Sequence, residues 1–450
     1  MKRIKITFSG KSPLYLELYN YIKELILNKT LSPGEKLPSK RELSSYLGIS
    51  LNTIIESYNL LLDEELITSI PKKGYYVSNY DISIIKNDET YSLESNIKNY
   101  KYDFSTKNID SSIFPYYTWN KICKNIIYNE NILIKSDNYG NIKLRKSISK
   151  YLYENKGINI NPKNIIIGSG IEYLLTVLIS LLDINNIGIE NPGYDKIYKI
   201  LKNNNKNVIL CNLDDEGIIL NNQDLDAIYI TPSNQFPTGI KTSIKRKIEL
   251  SKWAVNNKYI IEDDFDSEFK YLANQSISLL ELNKDNVILL STYSRTISPS
   301  LRISYMVLPD KLYEKYNNKF SFYSTTVSTL DQLILSEYIN SGLYSRQLNK
   351  TKSLYKQKRD LIISLLEKLD YIKIDYINSY LSLIIEIDNL NKELFNDLCI
   401  KNSIDISLMD NYYLDNKKDN RLIIGYSAIN INDIEDGINL LIKIIEQSKK

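Results

Sequence analysis

Behind Pro13, apolar residues recur at helical spacing through Leu14, Leu18, Ile22, Leu25 and Ile26, and the proline itself suits the start of a helix. Ser32-Pro33-Gly34 stops the pattern. Ser39-Lys40-Arg41-Glu42 reads as a capping box, with Ser39 at the N-cap and Glu42 three residues on, opening a short helix through Leu43 to Leu47. Gly48 ends that helix, and Ser50 caps a third carrying Ile54, Ile55, Tyr58, Leu61 and Leu62. Leu66-Ile67 and Tyr75-Tyr76-Val77 flank Pro71-Lys72-Lys73-Gly74, which predicts a two-stranded hairpin with a basic tip. Two short helices joined by Gly48-Ile49-Ser50 and followed by such a hairpin have the proportions of a winged helix-turn-helix.

Periodicity then lapses. Residues 79–101, rich in Asn, Ser, Asp and Lys, read as a linker between a first domain at 1–78 and a second at 102–450. In the second, short apolar runs at Ile165–Ile167, Ala227–Ile230, Tyr259–Ile261 and Val287–Leu290 alternate with helical stretches. That alternation predicts an α/β domain with a mostly parallel sheet covered on both faces. The longest apolar stretch, Leu174 to Leu182, is about half the length of a membrane-spanning helix and contains Thr176 and Ser180.

Composition narrows the chemistry. The 450 residues include no histidine, which removes imidazole bases, Ser-His and Cys-His nucleophiles, and His-ligated metals. Cys123, Cys211 and Cys399 form no CxxC pair, so neither a disulfide framework nor a metal site is expected. With no secretory signal in the first ten residues, a cytoplasmic location is expected. Net charge is +3, and its placement is informative. Residues 1–78 hold 11 basic and 8 acidic side chains, leaving 46 of each beyond them, so the whole surplus sits in the predicted winged domain. A small basic excess there points toward nucleic acid.

The string PGEKLPSKRELSSYLGISLNTIIESYNLLLDEELI resembles the winged helix-turn-helix of GntR-type bacterial regulators. The resemblance implies contact with double-stranded DNA through Ser39, Lys40 and Arg41, through Ser50, Asn52 and Thr53 at the head of the recognition helix, and through Lys72 and Lys73 of the wing. Arg41, Thr53 and Tyr58 match the family pattern, whereas Leu51 stands where an arginine is usual. A bidentate arginine–guanine contact discriminates by about 1–3 kcal/mol, so its loss implies an altered operator or weaker binding.

From Tyr102 onward, nine strings follow the order of a fold-type I aminotransferase: DFSTKNIDSSIFP, YGNIKLRKSISKYL, IIIGSGIEYLL, ENPGYDK, TPSNQFPTG, IEDDFDSEFKY, STYSRTISPSLRISYMVLP, GLYSRQLNKTKSLYKQKRDLI and RLIIGYS. With the winged domain in front, the whole chain resembles the MocR family, including its GabR-like members, in which a GntR-type domain is fused to an aminotransferase-like domain. The implied fold is a large α/β domain with a smaller C-terminal α+β subdomain. The implied cofactor is pyridoxal 5'-phosphate, and the implied assembly a head-to-tail homodimer with no membrane partner. Ser169, Gly170 and Ile171 then lie at a strand-to-helix junction, where free N–H groups and the helix dipole favour phosphate, and Arg302 is a phosphate-side arginine. Asp263 corresponds to the aspartate facing the pyridinium nitrogen, and Tyr194 to a pocket tyrosine. Arg421 corresponds to the arginine that takes an effector's carboxylate, and Lys196 to a second ligand-binding cation.

The departures concern the chemistry itself. The family's SK pair reads Ser294-Arg295, and a guanidinium offers no free amine for a Schiff base. Phe265 lacks the hydroxyl of the family tyrosine, and Glu172 replaces a glutamine beside the phosphate position. Asn234 and Gln347 replace histidines. The expectation is a DNA-binding transcriptional regulator that senses pyridoxal phosphate or an amino-acid-like or anionic ligand without transamination, the cofactor being held non-covalently or lost. The alternatives are a working aminotransferase with a DNA-binding appendage, and an interaction protein descended from such a regulator.

Overall fold

A computed structural model describes residues 4–449 apart from 9, 11, 80–99, 129–131, 133, 135, 221–223, 271–276 and 376–380. The chain divides into two compact units, Met1–Ile97 and Lys98–Lys450. The predicted linker lies almost wholly outside the described residues.

The first unit contains α1 (Leu14–Leu27), α2 (Lys40–Leu47), α3 (Leu51–Asp63) and the antiparallel pair β1 (Ile67–Ile70) and β2 (Gly74–Val77). The punctuation read from sequence sets the boundaries. Ser39 and Glu42 close the capping box reciprocally, Gly48 takes the left-handed conformation at φ +66°, and the Ser50 hydroxyl accepts the Thr53 N–H. Leu18, Ile22, Leu43, Ile54, Tyr58 and Leu61 are fully buried together. Each such side chain contributes roughly 1.5–3 kcal/mol by leaving water. The Tyr58 hydroxyl donates to the Pro38 carbonyl at 2.9 Å, and Ser57 Oγ donates to the Tyr15 carbonyl at 2.7 Å. These bonds tie α3 to the approach of α2 and to α1.

The second unit is built on a seven-stranded sheet comprising β4 (Ile165–Ser169), β5 (Asn186–Glu190), β6 (Asn207–Cys211), β9 (Ala227–Ile230), β10 (Tyr259–Asp264), β11 (Val287–Thr292) and β12 (Ile303–Val307). Their order is β4-β12-β11-β10-β9-β5-β6, and only β12 runs against its neighbours. All four predicted apolar runs are strands of this sheet. Ile165 and Ile167 enter one buried cluster and Ile166 the other, which is why the strands read as continuous apolar runs. Helices α4 (Tyr116–Ile127), α5 (Ile142–Lys156), α6 (Ile171–Leu181), α7 (Asp195–Asn203), α8 (Ile244–Trp253), α9 (Leu279–Leu282), α10 (Asp310–Phe320), α11 (Thr329–Asn340) and α12 (Leu343–Leu366) accompany it. The hairpin of β7 (Leu213–Asp214) and β8 (Gly217–Ile218) follows β6.

A second, four-stranded antiparallel sheet has the order β13 (Ile372–Asp375), β14 (Ser382–Ile387), β17 (Arg421–Gly425), β16 (Ser407–Leu408), with α13 (Lys392–Lys401) and α14 (Ile434–Ser448). This is the smaller α+β subdomain. Its β15 (Ile404–Asp405) pairs in parallel with β3 (Tyr102–Asp103), at the start of the second unit.

Candidate functional site

In the first unit Arg41, Asn52, Lys72 and Lys73 are exposed, and Thr53 is partly so. Arg41 projects from the first turn of α2, Asn52 stands at the head of α3, and both lysines lie in the wing turn. Ser39 and Ser50 spend their hydroxyls on capping, so their contribution is to set where α2 and α3 begin. Lys40 lies half-buried with its ammonium 5.1 Å from the Tyr75 ring centre, joining α2 to the wing.

In the second unit Ser169, Asp263 and Ser294-Arg295 lie at or just beyond the carboxyl ends of β4, β10 and β11, where open α/β sheets place their ligands, while Arg421 opens β17 of the smaller sheet. Asp263, near the end of β10, is buried and accepts a hydrogen bond from the Tyr229 hydroxyl at Oδ2. Its Oδ1 is buried with no hydrogen-bond partner. Burial, together with the charges of Asp264 and Glu190, pushes the Asp263 carboxyl up to about 7. Glu190, ending β5, accepts from Thr231 N–H and Oγ1 at 3.1 and 2.7 Å, and burial pushes it up to about 7. Asp266 accepts from Asn234 Nδ2 and is pushed up to about 8, again by burial. Arg295 follows β11, half-buried, and Nη1 donates to the Thr106 carbonyl. Burial lowers the Arg295 pKa, opposed by the charges around it, Asp266 among them. Ser294 Oγ accepts from Thr292 Oγ1 at 3.1 Å. Phe236 stands edge-on to Tyr194, Phe265 and Tyr412, with ring centres 5.9, 6.3 and 5.0 Å away, forming an aromatic wall.

The phosphate side is organised differently. Gly170 has φ +92°, and a Cβ there would fall 2.3 Å from Arg302 Nη2, so glycine is what lets the guanidinium lie against the β4–α6 junction. Arg302 is bonded to Glu172, Nη2 to Oε2 at 2.8 Å, and Lys196 Nζ lies 3.8 Å from Glu172 Oε1. The Ser169 N–H donates to Thr326 Oγ1 at 3.0 Å. Arg421, expected to take a carboxylate, already holds one. Its Nε and Nη2 bond Asp419 at 2.9 and 2.6 Å, and Nη2 reaches the Tyr413 hydroxyl at 3.4 Å. Gln347 Nε2 donates to the Ile113 carbonyl at 2.6 Å.

Sequence reasoning missed several participants. Tyr229 falls in an apolar strand and reads as core. Asp266 lies inside a quoted string but carried no assigned role. Thr106 acts through its carbonyl, which no side-chain pattern reveals. Asp419, two residues before Arg421, was the most accessible of these, since in extended chain an Asp-x-Arg spacing puts both side chains on one side.

Two family models match the chain, "Bacterial regulatory proteins, gntR family" over residues 14–77 and "Aminotransferase class I and II" over 124–422. The uncharacterized HTH-type transcriptional regulator YdeL of Bacillus subtilis is 34% identical over 445 residues, covering 95% of this chain and 96% of the relative. The probable rhizopine catabolism regulatory protein MocR of Rhizobium meliloti is 23% identical over 458 residues, covering 95% of this chain and 93% of that protein. The chain belongs to the MocR-like family. For the fold of the second unit, an archaeal alanine:glyoxylate aminotransferase superposes with a TM-score of 0.70 at 20% identity, covering 77% of this chain and 91% of that one.

Membership of the MocR-like family implies pyridoxal phosphate, which would supply an electron sink. One feature fits that group: Asp263 Oδ1 is a buried acceptor without a donor, where a ring N–H would serve. The rest do not fit the covalent mode. Arg295 has no free amine and is bonded to Thr106, Phe265 has no hydroxyl, and Arg302 is paired to a carboxylate. As they stand, the pocket residues do not hold pyridoxal phosphate as an aminotransferase holds it. Among the described residues no helix is long and apolar enough to cross a membrane.

Proposed function

We propose that this MocR-like protein is a ligand-responsive transcriptional regulator. In this reading residues 1–78 bind double-stranded DNA and residues 79–101 connect them to the sensing domain at 102–450. The pocket reads a small molecule, whether pyridoxal phosphate or an amino-acid-like or anionic ligand, held without a Schiff base and without turnover. The observation that carries the reading is Arg295, bonded to the Thr106 carbonyl at the position where transamination needs an amine. Ligand occupancy acts as a population shift, limited by the ligand's differential affinity for two arrangements of the chain. A homodimer in the cytoplasm, reading two half-sites, is part of the proposal.

Selection of bound DNA from a random pool, with and without pyridoxal phosphate, tests the regulator. Recovery of one enriched motif supports it, and retention of random sequence alone overturns it. Absorbance of the chain mixed with pyridoxal phosphate, before and after borohydride, tests the absence of a Schiff base. A reducible aldimine band in the unmodified chain would refute that part.

A further inference from the structure

The phosphate side of the pocket is already filled by the chain's own carboxylate. Glu172 is the second residue of α6, and its side chain bonds Arg302, with Lys196 alongside. Burial acts to raise its pKa, and the backbone at the head of the helix with these two cations holds it below the usual carboxylate range. A helix-terminal N–H and an arginine are the partners a phosphate would seek at this junction. Gly170, with φ +92° and no Cβ, leaves the space in which the Arg302 guanidinium lies. At the opposite side the demand is reversed. Asp263 Oδ1 and Glu190 Oε1 are buried acceptors lacking a donor, and both residues are about 95% buried.

Resting on the reading of a non-covalent ligand pocket, we propose that Glu172 is a resident substitute for a ligand phosphate. The pocket therefore selects phosphate-free ligands that carry an N–H donor for Asp263. A phosphorylated ligand binds only by displacing Glu172 from Arg302, and it must place its dianion beside the evicted carboxylate. That is a repulsive device, which discriminates by penalising the wrong ligand.

The probes are pyridoxine and pyridoxine 5'-phosphate, which differ by the phosphate alone and carry no aldehyde to react with surface lysines. Equilibrium dialysis of the full chain against each gives the ratio of affinities, for the wild type and for Glu172→Gln. The expected result is that Glu172→Gln tightens pyridoxine 5'-phosphate by about tenfold or more, as befits a charge-assisted contact changing partners, while pyridoxine moves less than twofold. Adding Arg302→Gln to Glu172→Gln abolishes the gain. Glu172→Ala serves as a second variant and is expected to follow Glu172→Gln. A change below twofold for the phosphate, including no binding to either variant, overturns the proposal, and so does equal tightening of both probes. The non-covalent reading fails separately, through a borohydride-reducible adduct in the wild type.

Discussion

Asp263 gives the sharpest quantitative handle on the pocket. It is 6% exposed, and burial beside Asp264 and Glu190 pushes its carboxyl up to about 7. An unfolded aspartate titrates near 3.9, so between about pH 4 and 7 the folded chain keeps a proton that the unfolded chain releases. Stability is then full at low pH and falls as the pH rises through that window. For one group with this difference, the loss between pH 5 and pH 8 works out at about 2.5 kcal/mol. Asp263→Asn keeps an acceptor for the Tyr229 hydroxyl and removes the titration. Glu190 and Asp266 continue to titrate, so the variant retains part of the slope. Asp266 also loses a neighbouring negative charge that raises it, which flattens the variant's profile further. Urea unfolding followed by tryptophan fluorescence is the assay, since Trp119 and Trp253, the two tryptophans of the chain, both lie in the second unit. The wild type should lose at least about 2 kcal/mol more than Asp263→Asn between pH 5 and pH 8. Superimposable pH dependences would refute the argument that burial raises the Asp263 carboxyl toward 7.

Other changes probe different parts. Arg295→Lys is expected to give, with pyridoxal phosphate, a borohydride-reducible aldimine band that the wild type lacks; no band would mean that position 295 is not where the cofactor's aldehyde lies. Lys358 and Asp110 form a fully buried pair at 3.1 Å, so Lys358→Met leaves a lone buried carboxylate and should cost roughly 3–5 kcal/mol in urea unfolding, with Asp110→Asn added on top recovering part of it. Arg41→Ala should weaken DNA binding on all sequences and reduce the salt slope by about one, read by anisotropy across a salt series. Leu51→Arg should sharpen preference at one base pair by about 1–3 kcal/mol, and an unchanged motif in the selected pool would contradict the placement of Leu51 against the bases.

Much of the fold was legible because its signals are local. Ser39 with Glu42, Gly48, and Ser50 with Thr53 define α2 and α3 within a few residues of one another, and the four apolar runs of the sheet are buried on both faces. The pocket's composition was legible too, through motif strings that survive as strings. Its wiring was not. Glu172 and Arg302 are 130 residues apart, and nothing in either string says that the replacement for glutamine will bond the phosphate arginine. Arg295 finds a backbone carbonyl from a segment 189 residues earlier. Charge burial likewise depends on which strands adjoin: Glu190 raises Asp263 with β9 alone separating β5 from β10.

The short pair formed by β3 and β15 has a mechanical meaning. Where the chain enters its second unit, Tyr102 and Asp103 hydrogen-bond to the smaller subdomain's edge, Phe104 N–H reaches the Asp405 carbonyl at 2.8 Å, and Gly425 N–H reaches Phe104 O at 2.7 Å. Two residues further on, the Thr106 carbonyl is gripped by Arg295 from the larger sheet. Five consecutive peptides are thus a rein held in two hands, one in each subdomain. A molecule that took Arg295 from the Thr106 carbonyl would release one hand and leave the β3–β15 pairing as the other.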